Sequence, residues 1–409
     1  MTPPSATEAN AVNTAAPAGA LPGAAEPGSH AAFTQACGQM INEYMAEGQK
    51  NVQQIGLTAH RTAHHPAQLD NLIVRAGKAV HAMQVWKNRG RAMYLGKYLY
   101  SDDIASHFAA RFPVHCLDLR AEPDEAQFAQ LAFDLQGCVV IVNGNDFGSL
   151  RLLQRLYLSC PDTLFICCLY DNHHALDMCV TLSLCSDMVF PAHYDYLALL
   201  NRYSPFARGP LPASTLQWSK IQARRFESKL YSTPRRIDLS GGFTCYPQFP
   251  FRQSIVRKVM TQEIGHALEL PEENAVEHHS VRSKEENWEV WASSKANLMV
   301  STLTDLPHRF FDALLTGNIP LVPRYLQVFF SHFDFSSFAQ DPVVWIDYSD
   351  LPDMQDKVRQ AVAMFDAGGK NGIAERHRFI LEHHMMENRL ETILDDVHQL
   401  LHNKPYGGQ

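Results

Sequence analysis

The sequence has no long apolar run, no excess of basic charge and no paired-cysteine spacing, and each absence excludes a class of protein. No stretch of 18 apolar residues occurs in the 409, so no transmembrane segment is expected; peripheral membrane contact is left open. Lys and Arg total 35 against 43 Asp and Glu, giving a net charge of -8 with histidine neutral. Nucleic-acid-binding domains usually show a basic face, so no nucleic acid is expected as partner. A local basic cleft for a phosphorylated ligand is still allowed. Nine cysteines are present, none in a Cys-x-x-Cys pair and most inside apolar runs. They read as free thiols in a reducing compartment. The first residues hold no basic region followed by a compact apolar one, so the expected location is cytoplasmic rather than secreted.

The short motifs of common enzymes are missing too. There is no GxxxxGK[S/T], no GxGxxG and no HExxH, which weakens ATPase, dehydrogenase and zinc-protease readings. Twenty histidines invite a metal reading, but the doublets at 64–65, 173–174, 278–279 and 383–384 are adjacent in sequence. Adjacent side chains diverge on helices and strands, so no metal and no cofactor is expected.

What is present is an α/β rhythm. Residues 1–30, rich in Ala, Pro and Gly, bury too little to offset their ordering entropy and read as a disordered tail. Residues 31–110 read mostly as helix or irregular chain. From 113, short apolar strands ("PVHCLDL", "GCVVIVNG", "DTLFICCLYD", "SDMVFPAH") alternate with helices. A mixed connection containing "SPFARGPLPAS" follows. The rhythm then restarts with "RRIDLSGG", "HALEL", "KANLMVS", "NIPLVP" and "DPVVWID". Alternation of this kind means right-handed βαβ units and parallel sheets. The expected organisation is a leader and first Rossmann-like domain over 31–205, a connection over 206–232, a second Rossmann-like domain over 233–375 and a closing helix over 376–409. Two facing α/β domains bring the carboxyl ends of both sheets to a shared cleft, where ligands bind.

"STLTDLPHRFFDALLTGNIPLVP", residues 301–323, carries the most information. A helix over about 305–316 has one apolar stripe, Phe310, Phe311, Leu314 and Leu315. A second stripe, Asp305, Arg309, Asp312 and Thr316, recurs at helical spacing. Gly317 suits the left-handed residue past the helix end, and Pro320 follows it. By itself the polar stripe also fits an ordinary solvated face with a local Arg309–Asp312 pair.

The pattern R-x-x-D/E-x-x-x-x-G before an apolar "IPLVP", late in the second of two α/β domains, resembles GT-B glycosyltransferases, in particular the CgeB-like bacterial family. "RRIDLSGGFTCYPQFPFRQSIVRKV" is similar to that family's opening strand, glycine turn and arginine-led helix. "WASSKANLMVSTLTD" is similar to its strand before the motif, and "EHHMMENRLETIL", with His384 and Arg389, to its closing helix. The resemblance spans roughly 155–400. It implies a GT-B fold of two Rossmann-like domains facing a central cleft, and a metal-independent glycosyltransferase. The donor would be a nucleotide sugar, and the acceptor a hydroxyl on a glycan, lipid or protein. Carried over residue by residue, Thr302, Thr304 and the helix start would face the donor diphosphate, with His308 beside them. Arg309 and Arg252 would neutralise its charge, and Gly241 and Gly242 would allow close backbone approach. Asp312 would accept from ribose or sugar hydroxyls; it is one methylene shorter than the family's Glu.

An inverting transferase needs a base for the acceptor hydroxyl. Asp171, His173 and His174 follow a strand of the first domain, and His193 ends the next one, so all four are candidates. A polar loop role is the plainer reading of each. A nucleotide-sugar epimerase and a non-catalytic scaffold that binds a glycan or partner protein are the alternative functions on the same fold.

Overall fold

A computed structural model describes residues 72–120, 123–146, 150–170, 176–243, 250–269, 282–301, 306–348 and 354–402. The expected tail, and the helices expected before residue 72, lie outside them.

The first unit is a parallel sheet in the order β2-β1-β3-β4-β5-β6. Its strands are β1 (Met93–Gly96), β2 (Val114–Leu117), β3 (Val139–Asn143), β4 (Leu164–Leu169), β5 (Met188–Pro191) and β6 (Phe206–Ala207). β3 and β4 read "VVIVN" and "LFICCL" and are buried at every position. That is the continuous apolar signature of a strand covered on both faces. Helices α1 (Leu72–Arg89), α2 (Asp102–Phe108), α3 (Glu125–Leu135), α4 (Leu150–Ser159), α5 (Leu176–Leu184) and α6 (Tyr194–Leu200) accompany it. One expectation is corrected: the rhythm starts at 93, not 113. β1 lies inside the sheet, second of its six strands, between β2 and β3.

Helix α1 owes its place to buried polar contacts as well as to Ala79, Ala82, Met83 and Trp86. Lys78 Nζ donates to Asp187 Oδ2 (2.6 Å) and to Thr163 O (2.8 Å). Asp187, fully buried, also accepts from Phe165 N and from the Tyr157 hydroxyl. A buried ion pair is tolerable only when its remaining hydrogen-bonding capacity is met in this way.

The second unit is a parallel sheet in the order β11-β10-β9-β7-β8. It comprises β7 (Ile237–Gly242), β8 (His266–Glu269), β9 (Ser294–Leu298), β10 (Ile319–Pro323) and β11 (Val344–Ile346). Around it pack α7 (Lys220–Ser232), α8 (Pro250–Met260), α9 (Lys284–Ala292), α10 (His308–Leu315) and α11 (Met354–His383). α11 has two limbs, divided at Gly369, whose φ of 49° interrupts the helix. Strand order reverses at β1/β3 in the first sheet and at β7/β9 in the second. Those are the crevices where α/β sheets bind ligands.

The final helix α12 (Met386–His402) returns to the first unit. Arg208 donates through Nε and Nη2 to both oxygens of Asp396, each at 2.6 Å, and His107 Nε2 lies 2.9 Å from Glu391 Oε1. The chain thus crosses between units twice, and the crossings lie side by side. Thr215 N donates to His384 O, and Arg389 reaches the carbonyls of Pro212, Ala213 and His383. One apolar core runs unbroken from α1 through Tyr170, Leu211 and Trp218 to α12. The two facing parallel α/β units expected from sequence are therefore the architecture observed.

Candidate functional site

α10 is fixed from its carboxyl end. Gly317 has φ +79°, Gly317 N donates to Leu314 O and Asn318 N to Ala313 O, which is a Schellman closure. The next three carbonyls are each taken by a side chain from another element. His377 Nδ1 donates to Leu315 O (2.7 Å), Arg235 Nη2 to Thr316 O (2.9 Å) and Arg376 Nε to Gly317 O (3.0 Å). The two guanidinium groups suit the negative end of a helix. Burial lowers the Arg235 guanidinium to about 9, with Arg376 adding repulsion. Gly317 also admits no side chain, because a Cβ there would lie 2.8 Å from Ile373 Cγ2.

With its tail held, α10 presents its amino end to the seam between the units. The His308 ring meets Tyr170, at the carboxyl end of β4, edge to face at 5.5 Å, and His308 Nδ1 donates to Ser214 O (2.7 Å). The Arg309 guanidinium lies 4.4 Å above the ring of Phe243, the residue after β7. That stacking holds a half-buried cation at the carboxyl edge of the second sheet. Arg252 in α8 is 8% exposed, and its charge acts on Tyr348, whose hydroxyl donates to Met299 O (2.6 Å) just past β9. Two arginines, one helix amino end and the edges of β7 and β9 therefore gather on one side of the second unit. This collection suits an anionic, phosphate-bearing ligand.

The polar stripe of α10 is not a solvated face. Asp312 is 2% exposed and Thr316 is fully buried, with the Thr316 hydroxyl donating to Asp312 O and Ala313 O. Asp312 Oδ2 accepts from Gln217 Nε2 (3.0 Å). Oδ1 is buried and, among the described residues, has no hydrogen-bond partner. Burial pushes the Asp312 carboxyl up to about 7, against the lowering pull of Gln217, Arg309 and Lys284.

The other sequence candidates divide into three groups. Gly241 is the penultimate residue of β7, but the space its missing side chain leaves is used by its own unit: a Cβ would meet Phe243 Cε2 at 2.8 Å. Gly242, the last residue of β7, is half-buried. His193 caps the seam end of β5 and is 4% exposed, its ring 4.8 Å from Phe329 of the second unit. It lines an apolar cavity of about 10 Å³ with Leu306 and Phe333, space for about one water. Asp171, His173, His174, Thr302, Thr304 and Asp305 lie outside the described residues. Lys295 in β9 is taken up by an ion pair with Asp366 (2.9 Å). Among the described residues no three His, Cys, Asp or Glu side chains gather as a metal site, and no helix is long and apolar enough to cross a membrane. A groove of about 320 Å³ lined by Asp238, Glu263, Gly265 and Arg359 opens at the amino ends of β7 and β8, the end opposite the usual ligand crevice. Sequence reasoning missed Phe243, Gln217 and Lys284; they matter only through contacts that the fold creates.

No protein-family model matches the chain, and no curated protein matches it in sequence. Among solved structures it is similar to α,α-trehalose 6-phosphate synthase from Burkholderia multivorans. The TM-score is 0.44 and the identity 11%, over 67% of this chain and 73% of that one. It is similar to the N-terminal domain of Candida albicans trehalose-6-phosphate phosphatase at TM-score 0.45 and 9% identity, over 76% and 97%. It is also similar to the catalytic domain of Starch Synthase IV from Arabidopsis thaliana, at TM-score 0.40 and 9% identity over 72% and 83%. These likenesses concern outline and carry nothing about activity.

Proposed function

We propose that the protein is a glycosyltransferase of the CgeB-like GT-B kind, moving a sugar from a nucleotide donor to a glycan, lipid or protein hydroxyl. The observation that carries the reading is Arg309, stacked on Phe243 at the amino end of a helix aimed into the seam. As the glycosidic bond breaks, negative charge grows on the departing nucleoside diphosphate. Cations and oriented N–H groups then stabilise the transition state more than the ground state. Arg309, Arg252 and the start of α10 supply them on the second unit. The first unit presents the acceptor across the seam. A base for its hydroxyl is sought at the carboxyl edge of β4, where Asp171, His173 and His174 follow Tyr170 in sequence. Charge neutralisation by arginine makes the transfer metal-independent. Apposition of the units excludes water and limits donor hydrolysis.

The burial of Asp312 favours one second reading, a scaffold that binds the nucleotide sugar without turning it over. A thermal-shift screen against UDP-, GDP-, dTDP- and CMP-sugars finds the donor, since ligand at 100 times its Kd adds about 2.7 kcal/mol to stability. Arg309→Ala is expected to weaken that donor by roughly ten- to a hundredfold, the range for losing hydrogen bonds to a charged group, with the unfolding midpoint kept. Unchanged nucleotide affinity in the variant refutes the assignment. Donor binding without product across an acceptor panel selects the scaffold.

A further inference from the structure

We infer that Gln217 is a positioning residue: from the connection between the units it holds the Asp312 carboxyl so that Oδ1 is kept for a ligand hydroxyl. This rests on the donor-site reading above and deepens it.

The orientation of the Gln217 amide is fixed from both ends. Its Oε1 accepts from Asn287 Nδ2 in α9, so its Nε2 is the end that reaches Asp312 Oδ2, at 3.0 Å. Asn287 sits in a helix start closed by a reciprocal capping pair, Ser283 and Glu286. The next residue along the connection, Trp218, donates to Lys284 O (2.8 Å) and packs edge to face on Trp288 at 5.0 Å. The backbone carrying Gln217 is therefore pinned. Gln217 favours the carboxylate through both its side chain and its backbone N–H, its Nε2 reaching Oδ2; Oδ1 is buried and makes no hydrogen bond among the described residues. A buried oxygen without a partner is costly and rare, and a ligand hydroxyl is the group that would satisfy it. Arg309 on the same helix and Lys284 at the start of α9 are the charged groups acting on this carboxyl. Gln217 itself touches no reacting atom in this scheme; it acts through Asp312.

The test uses the full chain and the nucleotide sugar that gives the largest thermal shift. Affinity is measured by calorimetry between pH 6 and 9 for wild type, Gln217→Met and Asn287→Leu. Gln217→Met keeps the length and removes the side-chain donor while leaving the backbone N–H in place. It is expected to bind roughly tenfold more weakly near pH 7, with the pH midpoint of affinity moved upward, because the lost hydrogen bond favoured the carboxylate. Asn287→Leu frees the amide to turn and should move both quantities the same way by less. A variant that lowers only the unfolding midpoint, with affinity and pH midpoint unchanged, makes Gln217 merely structural and overturns the inference while the donor site stands. A wild-type protein that binds no nucleotide sugar overturns both.

Discussion

Replacing Asp312 with Asn removes a titrating proton while keeping the shape and the contact with Gln217. The folded carboxyl titrates at about 7 because of burial, and an unfolded Asp at about 3.9. Between those values the folded state holds a proton that the unfolded state has released. Wild-type stability therefore falls as pH rises through this window, by about 1.4 kcal/mol per unit at most. It is fully present below the unfolded value and exhausted above the folded one. The neutral amide does not titrate, so Asp312→Asn should be the more stable protein, by about 1–2 kcal/mol at pH 5 and about 3–5 kcal/mol at pH 8. Urea unfolding followed by tryptophan fluorescence at four pH values measures the gap directly. A gap of constant size across pH 5 to 8 would refute the buried, neutral-leaning carboxyl and the geometry that produces it. A gap that widens identifies Asp312 as a group kept at a stability penalty, which is where functional residues are often found.

Other outcomes follow from the same framework. Gly317→Ala forces a Cβ into a left-handed backbone and against Ile373, and should cost about 2–5 kcal/mol in denaturant unfolding from the summed conformational and overpacking penalties. Lys78→Met strands the buried Asp187 and should cost about 3–5 kcal/mol, the range for breaking a buried pair by removing one partner. The double variant Lys78→Met/Asp187→Asn should recover part of that loss, which a double-mutant cycle reads out.

The α10 segment was legible in the sequence because every device in it is local. The apolar period, the glycine stop and the following proline need no partner from elsewhere in the chain. The parallel strands were legible for the same reason, since β3, β4 and β10 are continuous apolar runs. β1 was not: "MYLG" holds no β-branched residue, ends in glycine and lies in a stretch that reads as mostly helical, and its interior place comes from pairing on both edges. The site divides along the same line. Arg309 could be singled out from spacing, but the ring beneath it could not, since Phe243 is brought there by the βα turn. Asp312 and Thr316 lie on what the helical period alone presents as a second, polar face. Only the connection and α9, packed over that face, turn it inward. Gln217 gave no signal at all, because a glutamine in an irregular segment matters only through the carboxyl it meets.

The paired crossings between the units have a mechanical consequence. A single covalent link would act as a ball joint and leave three rotations open. Two links lying side by side, stitched by Arg389 to Pro212, Ala213 and His383, act as two pins on one line. Rotation about that line leaves both links undistorted, whereas twisting or sliding would tear the stitches. The approach of the carboxyl edge of the first sheet to the start of α10, where Tyr170 meets His308, is then governed by one angle. The arginines of the second unit meet the first along a single arc, always from the same side.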